Sequence, residues 1–197
     1  MSSDPRLEHW LAAVLATPGL TAIRDPDEAR AMLLEDALRA VEAVERFEGP
    51  IVDVGSGGGS PGIPLAVALA EREVTLLEAN GRKASFLERV AVEFPNVRVV
   101  RGRAEEQETD SFGVATAKAL AKPPVAAEWA LPLVRPGGAA ILWVGATADL
   151  ESLERVAGQL GAAPPEPEAG LVVLRKLEPT PPGFPRRAGV ARKRPLA

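Results

Sequence analysis

The chain has 197 residues, enough for a single domain with a real core at roughly 100–200 residues per domain. Its 23 basic and 27 acidic side chains leave a formal charge of −4, which excludes a generally basic nucleic-acid coat protein. Cysteine is absent and His9 is the one histidine, so disulfides, thiolate or multi-histidine metal sites, cysteine nucleophiles and histidine-centred triads are excluded as well.

Leu7, Trp10, Leu11, Val14 and Leu15 recur at helical spacing until Thr17-Pro18-Gly19 breaks the run, which predicts a short first helix. From Asp25, with Pro26 in the first turn, Met32, Leu33, Leu38, Val41 and Val44 predict a second helix that Gly49-Pro50 ends. The pattern then alternates. Ile51–Val54 reads as a buried strand followed by a glycine loop and a helix over Ile63–Leu69, and Val74–Glu78 as a strand followed by a helix over Lys83–Phe94. This is the rhythm of a parallel sheet covered on both faces.

Val97–Arg101 continues it as a strand, Glu105–Ser111 as a polar loop, and Gly113–Ala117 as a weak strand. A helix over Ala126–Val134, a turn at Pro136-Gly137-Gly138, a strand over Ala139–Val144 and a helix over Leu150–Leu160 follow. Ala163–Gly170, rich in Pro and Glu, reads as a loop, and Leu171–Leu177 as a final antiparallel strand at the sheet's far side. Pro181–Ala197 differs in kind, carrying Arg186, Arg187, Arg192, Lys193 and Arg194 and no acid. No run approaches the roughly 20 apolar residues of a membrane span, and MSSDPRLEHW lacks the layout of a secretory signal. A soluble, cytoplasmic protein without a membrane partner is expected.

The chemistry concentrates where Ile51–Val54 runs into Gly55-Ser56-Gly57-Gly58-Gly59-Ser60-Pro61-Gly62. Glycines at a first strand-to-helix turn allow tight backbone geometry and close ligand approach. Glu78 ends the second strand, 21 positions after Gly57, the spacing at which an acid accepts hydrogen bonds from ribose hydroxyls. The pair predicts a nucleoside cofactor. Ser60 stands where a dinucleotide fingerprint requires glycine or alanine, and Asp53 would repel a pyrophosphate yet attract the ammonium group of S-adenosylmethionine. Asp53 also has a purely local use, capping the loop that follows its strand.

The runs DVGSGGGSPGIPLAVAL, TLLEANGRKASFL and RGRAEE, flanked by LTAIRDPDE at Leu20–Glu28 and FPRRAGVARKRPL at Phe184–Leu196, resemble the bacterial 16S ribosomal RNA guanine-N7 methyltransferases (RsmG, also called GidB). The chain resembles a short, divergent member. The resemblance implies an α/β, Rossmann-like S-adenosylmethionine-dependent methyltransferase fold. Its mostly parallel sheet would have one antiparallel strand, a helical N-terminal extension over 1–48, a cofactor-binding core over 49–178 and a basic tail over 179–197, all in one domain.

It further implies that Gly55, Ser56, Gly57 and Ser60 line the cofactor loop with Asp53, that Glu78 holds the ribose, and that Ala104 and Glu105 meet the adenine. Lys118 stands where the family has arginine and is a candidate for cofactor contact or catalysis, together with Asp36. The five tail cations are the expected RNA contacts. The partner implied is 16S ribosomal RNA or a small-subunit particle, methylated at position 527 by a monomer. The chain departs from the family's pattern at Leu33 and Ala37, where histidine and serine are usual, at Lys118, and at Val144, where lysine is usual. A non-catalytic RNA-binding paralogue and a small-molecule methyltransferase are the alternatives. Guanine N7 chemistry suits this composition, because the neutral base presents a lone pair there and needs no general base.

Overall fold

The computed structural model describes residues 4–145 and 147–197. Asp4 caps the first helix, α1 (Pro5–Ala16), its carboxylate accepting the N–H of Arg6 at 2.9 Å, and Leu7, Trp10, Leu11 and Val14 form its buried face. The stretch expected as one helix from Asp25 is a composite. Asp25 caps α2 (Pro26–Ala29), a π-helical segment spans Arg30–Glu35, and α3 (Asp36–Leu38) and α4 (Val41–Glu45) complete it. A π turn widens the helix by one residue and re-aims its carbonyls, and two of those carbonyls reach the site described below.

Seven strands then form one sheet in the order β3-β2-β1-β4-β5-β7-β6 among the described residues. They are β1 (Ile51–Val54), β2 (Val74–Glu78), β3 (Val97–Arg101), β4 (Phe112–Ala117), β5 (Val134–Trp143), β6 (Glu166–Glu168) and β7 (Leu171–Arg175). The first five pair in parallel, whereas β7 pairs antiparallel with both β5 and β6. The helices between them are α5 (Gly62–Ala68), α6 (Gly81–Val90), α7 (Pro123–Ala130) and α8 (Leu150–Gln159), and a short α9 (Val190–Lys193) follows β7.

Alternation along the strands divides the core into two. Ile51, Leu76, Val114 and Ile141 pack with α1, α5 and α6 on one face, while Val52, Leu77, Ala115 and Leu142 pack with α7 and α8 on the other. That is the pleat of buried parallel strands covered on both sides. The strand expected at the far side is internal: β7 lies between β5 and β6, and β6 falls in the stretch expected as loop. Pro167 is tolerated there because β6 is the sheet edge. β5 also begins earlier than expected, at Val134, and runs through Pro136-Gly137-Gly138 with a register shift opposite Phe112 and Val114. No helix among the described residues is long and apolar enough to cross a membrane.

Candidate functional site

The order of strands reverses between β1, whose next neighbour in sequence is β2, and β4 on its other side. In open α/β sheets ligands occupy the crevice beyond the carboxyl ends of the strands at such a switch point. The glycine loop leaves β1 there and Lys118 follows β4. Gly55 has φ of +72° and Gly57 +58°, values that side chains rarely adopt. A Cβ on Gly55 would also stand 2.3 Å from Leu120 Cδ1.

Two adjoining cavities open at this end. One, of about 350 Å³, is bordered by Gly55, Glu78, Ala104, Glu105, Trp129 and Arg192. The other, of about 260 Å³, lies between Leu20 and Leu33 of the N-terminal extension and Ser56, Gly57, Ser60 and Lys118 of the core. Gly55, Lys83 and Ala119 border both. A larger cavity of about 730 Å³ lies at the opposite, amino end of β1 and β2. Its one cation, Arg72, is already directed at the carbonyls of Val44 and Gly49, and nothing there resembles a nucleoside site.

Glu78 is almost fully buried, and its two carboxylate oxygens accept the N–H of Gly57 at 2.8 Å and of Asn80 at 2.7 Å. It thereby ties the glycine loop to the end of β2. Each oxygen keeps a further lone pair for a hydroxyl donor. Asn80 caps α6, accepting from Arg82 and Lys83, and so sets Lys83 at the junction of the two cavities. Nothing in the sequence reading singled out Lys83; its signal was the cap three residues before it.

Asp53 is placed differently from the loop residues. Its carboxylate borders neither cavity. It is 1% exposed and turns beneath the loop, accepting the Gly62 N–H at 3.2 Å and the Thr116 hydroxyl at 3.2 Å. Burial pushes its pKa up to about 6, against the opposing pull of these hydrogen bonds. The side chain falls on the α5 face with Ile51, one residue out of phase with Val54, so the strand's pleat decides its direction. Asp53 thus supports the loop from below, the local use its place at the strand end also predicts.

The N-terminal extension lies across the loop. Trp10, 1% exposed, donates its indole N–H to the Gly58 carbonyl at 2.7 Å. The Ser60 hydroxyl donates to the carbonyl of Leu33 at 2.7 Å, and the Lys118 ammonium to that of Met32, both in the π-helical segment. Lys118 also pairs with Asp36 at 2.7 Å, whose other oxygen takes Arg39 at 2.7 Å. The two candidate catalytic residues are thus partners of each other. Of the other departures from the family pattern, Leu33 borders the smaller cavity, Ala37 is fully buried, and Val144 packs on the α7/α8 side, outside both site cavities.

The five tail cations are placed unequally. Arg186 is committed within the chain: its Nε and Nη2 donate to the two oxygens of the buried Glu128 at 2.5 and 2.6 Å. Arg187, Lys193 and Arg194 are exposed, and Arg192, also exposed, stands at the rim of the larger site cavity. Glu105 does not simply await a ligand either, because its Oε1 accepts from Trp129 Nε1 at 3.1 Å and from the Gly189 N–H at 3.0 Å. His9 lies on the outer face of α1, three-quarters exposed and opposite Glu93, far from any role in the crevice.

This arrangement has close counterparts. A solved structure described as the T. thermophilus 16S rRNA N2 G1207 methyltransferase in complex with AdoMet and guanosine shares the fold, with a TM-score of 0.57 at 19% identity over 84% of this chain and 43% of that one. A ribosomal RNA small subunit methyltransferase G of Rubrobacter xylanophilus is 39% identical over 86% of this chain and 75% of its own length. The Chloroflexus aggregans protein of the same name is 36% identical over 90% of this chain and 82% of its own. Residues 6–158 match the family described as rRNA small subunit methyltransferase G. The match takes in α1, the glycine loop, Glu78 and Lys118 together, and the chain belongs to that family.

Proposed function

We propose that this protein transfers the methyl group of S-adenosylmethionine to N7 of a guanine in 16S ribosomal RNA, the one conventionally numbered 527, acting as a cytoplasmic monomer on the RNA or a small-subunit particle. Family membership supports rRNA methylation. The single observation that carries the rest is the pair of adjoining cavities at the switch point, one ending on Glu78 and the other enclosed by the N-terminal extension.

The donor set fits the methyl donor. Glu78 has acceptor capacity left for ribose hydroxyls, and Ala104 with Glu105 borders the same cavity. Gly55 presents backbone without a side chain at the passage between the cavities, and Gly57 does so along the smaller one. When bound, S-adenosylmethionine supplies a methyl carbon activated by a sulfonium. The chain's task is then to orient the purine and exclude water, and alignment of this kind contributes up to roughly 7–11 kcal/mol in well-oriented systems. Leu20, Leu33 and Val14 give the smaller cavity an apolar wall, and Lys118, held by Asp36, adds a fixed positive charge at its edge. No side chain need accept a proton, in keeping with a crevice that contains neither histidine nor cysteine.

Mass spectrometry of 16S RNA from cells with and without the gene tests this reading. Loss of one N7-methylguanine, restored by the gene, is the expected result. An unchanged modification profile would leave an RNA-binding paralogue or a small-molecule methyltransferase instead.

A further inference from the structure

The C-terminal segment has the charge of an RNA arm, yet its anchors lead into the cofactor cavity. Glu128, on α7, is 3% exposed and receives the bidentate Arg186 fork at 2.5 and 2.6 Å. The same Nη2 donates to the carbonyl of Arg194 at 2.9 Å, closing residues 186–194 into a loop. Within that loop Gly189, at φ of +80°, donates its N–H to Glu105, whose Oε1 also accepts from Trp129. Ala191 is 2% exposed. Three anchors therefore hold the segment, and the residue after the last of them, Arg192, borders the cavity with Glu78, Ala104 and Trp129. An arm that only met phosphates would have no use for a desolvated carboxylate, which is costly to bury unless it is paired.

Resting on the reading of this cavity as the adenosyl site, we propose that Arg192 contacts the adenosyl group and that Arg186 is the positioning residue that seats it. The C-terminal segment then forms a wall of the cofactor site. A guanidinium suits that wall, because its plane packs against an aromatic face while its charge remains at the rim. Arg187, Lys193 and Arg194 point to solvent on the same segment, so RNA held by these three and cofactor held by Arg192 share one docked conformation. Linkage requires each ligand to raise the other's affinity by the same factor.

The test is calorimetry with S-adenosylhomocysteine on the full chain, without RNA. Arg192→Ala is expected to weaken binding roughly three- to thirtyfold, whereas Arg187→Ala, which removes the same charge from the same segment, stays within about twofold. Arg192→Lys recovers only part of the loss. Arg186→Ala reproduces the Arg192→Ala shift although Arg186 does not border the cavity. If that variant fails to fold, Arg186→Lys keeps a charge on Glu128 without the fork and shows a smaller loss in the same direction. In turnover assays the KM for the methyl donor rises while kcat at saturation is kept. Equal affinities for Arg192→Ala and Arg187→Ala, with wild type binding normally, would overturn the proposal and leave the cofactor site standing. Failure of wild type to bind would overturn both.

Discussion

Replacing Asp53 by Asn should stabilise the unliganded protein at neutral pH. The carboxyl is wholly buried and its pKa stands at about 6 against an ordinary 3.8. Below pH 3.8 both folded and unfolded chains are protonated and burial carries no charge penalty. Between 3.8 and about 6 the unfolded chain ionises while the folded chain retains its proton, so stability falls as pH rises. Above 6 both are ionised and the cost is constant. At 1.36 kcal/mol per pKa unit it amounts to about 3 kcal/mol. Asparagine cannot ionise, yet its carbonyl can still accept from Gly62 N–H, and Thr116, whose hydroxyl also lies 3.5 Å from the Val52 carbonyl, can receive its amide. Urea unfolding of both proteins at pH 4 and pH 7 measures the effect: at pH 4 the unfolded carboxyl is already partly ionised, so the variant should gain about 2.4 kcal/mol on wild type between the two. A difference independent of pH would refute the argument that Asp53 is held against its own desolvation.

Glu78→Ala should weaken methyl-donor binding about tenfold or more, since a charged hydrogen bond contributes roughly 1.5–3 kcal/mol; calorimetry reads it. Lys118→Ala should lower the stability of the unliganded protein by about 1–3 kcal/mol, because its ammonium meets Asp36, Met32 and Ser60 at once; thermal melts without ligand check this, and an unchanged melt would show that the contact holds nothing together. Arg186→Ala should cost about 3 kcal/mol by stranding Glu128, against less than about 0.5 for Arg187→Ala, in urea unfolding. With Arg186 and Arg192 engaged by the protein and its cofactor, three tail cations remain for RNA, and the log-affinity against log-salt slope on single strands should be about −2; a slope near −3.5 would return all five to the phosphates.

The centre of the parallel sheet was legible because β1 and β2 are short apolar runs ended by glycine and by acid, and that pattern has few other solutions. Glu78 was legible for the same reason. The direction of Asp53 was not, because a carboxylate near a strand end can face either layer until the pleat is known. β6 was missed because an exposed edge strand of Glu-Pro-Glu carries no apolar period. Helix α7 was expected to start later because Pro123-Pro124 reads as a loop, whereas proline is at ease in a helix's first turn. The tail's charges were visible, but not that one of them, Arg186, answers a single glutamate in the otherwise apolar Pro-Pro-Val-Ala-Ala-Glu-Trp-Ala helix, and a lone acid on a buried helix is itself a demand for a cation.

The crevice is closed by contacts from both ends of the sequence. Trp10 reaches Gly58 across 48 positions and Gly189 reaches Glu105 across 84. Pairings this distant form late, after the loops between them have been closed. During synthesis the glycine loop and Glu78 emerge long before residue 189, so a partly made chain can fold its sheet while one wall of the crevice does not yet exist. The same geometry constrains engineering: a fusion at either end bears on an element that touches the crevice, whereas a side chain added at the exposed Gly158, where a Cβ would meet nothing within 4 Å, would bear on neither.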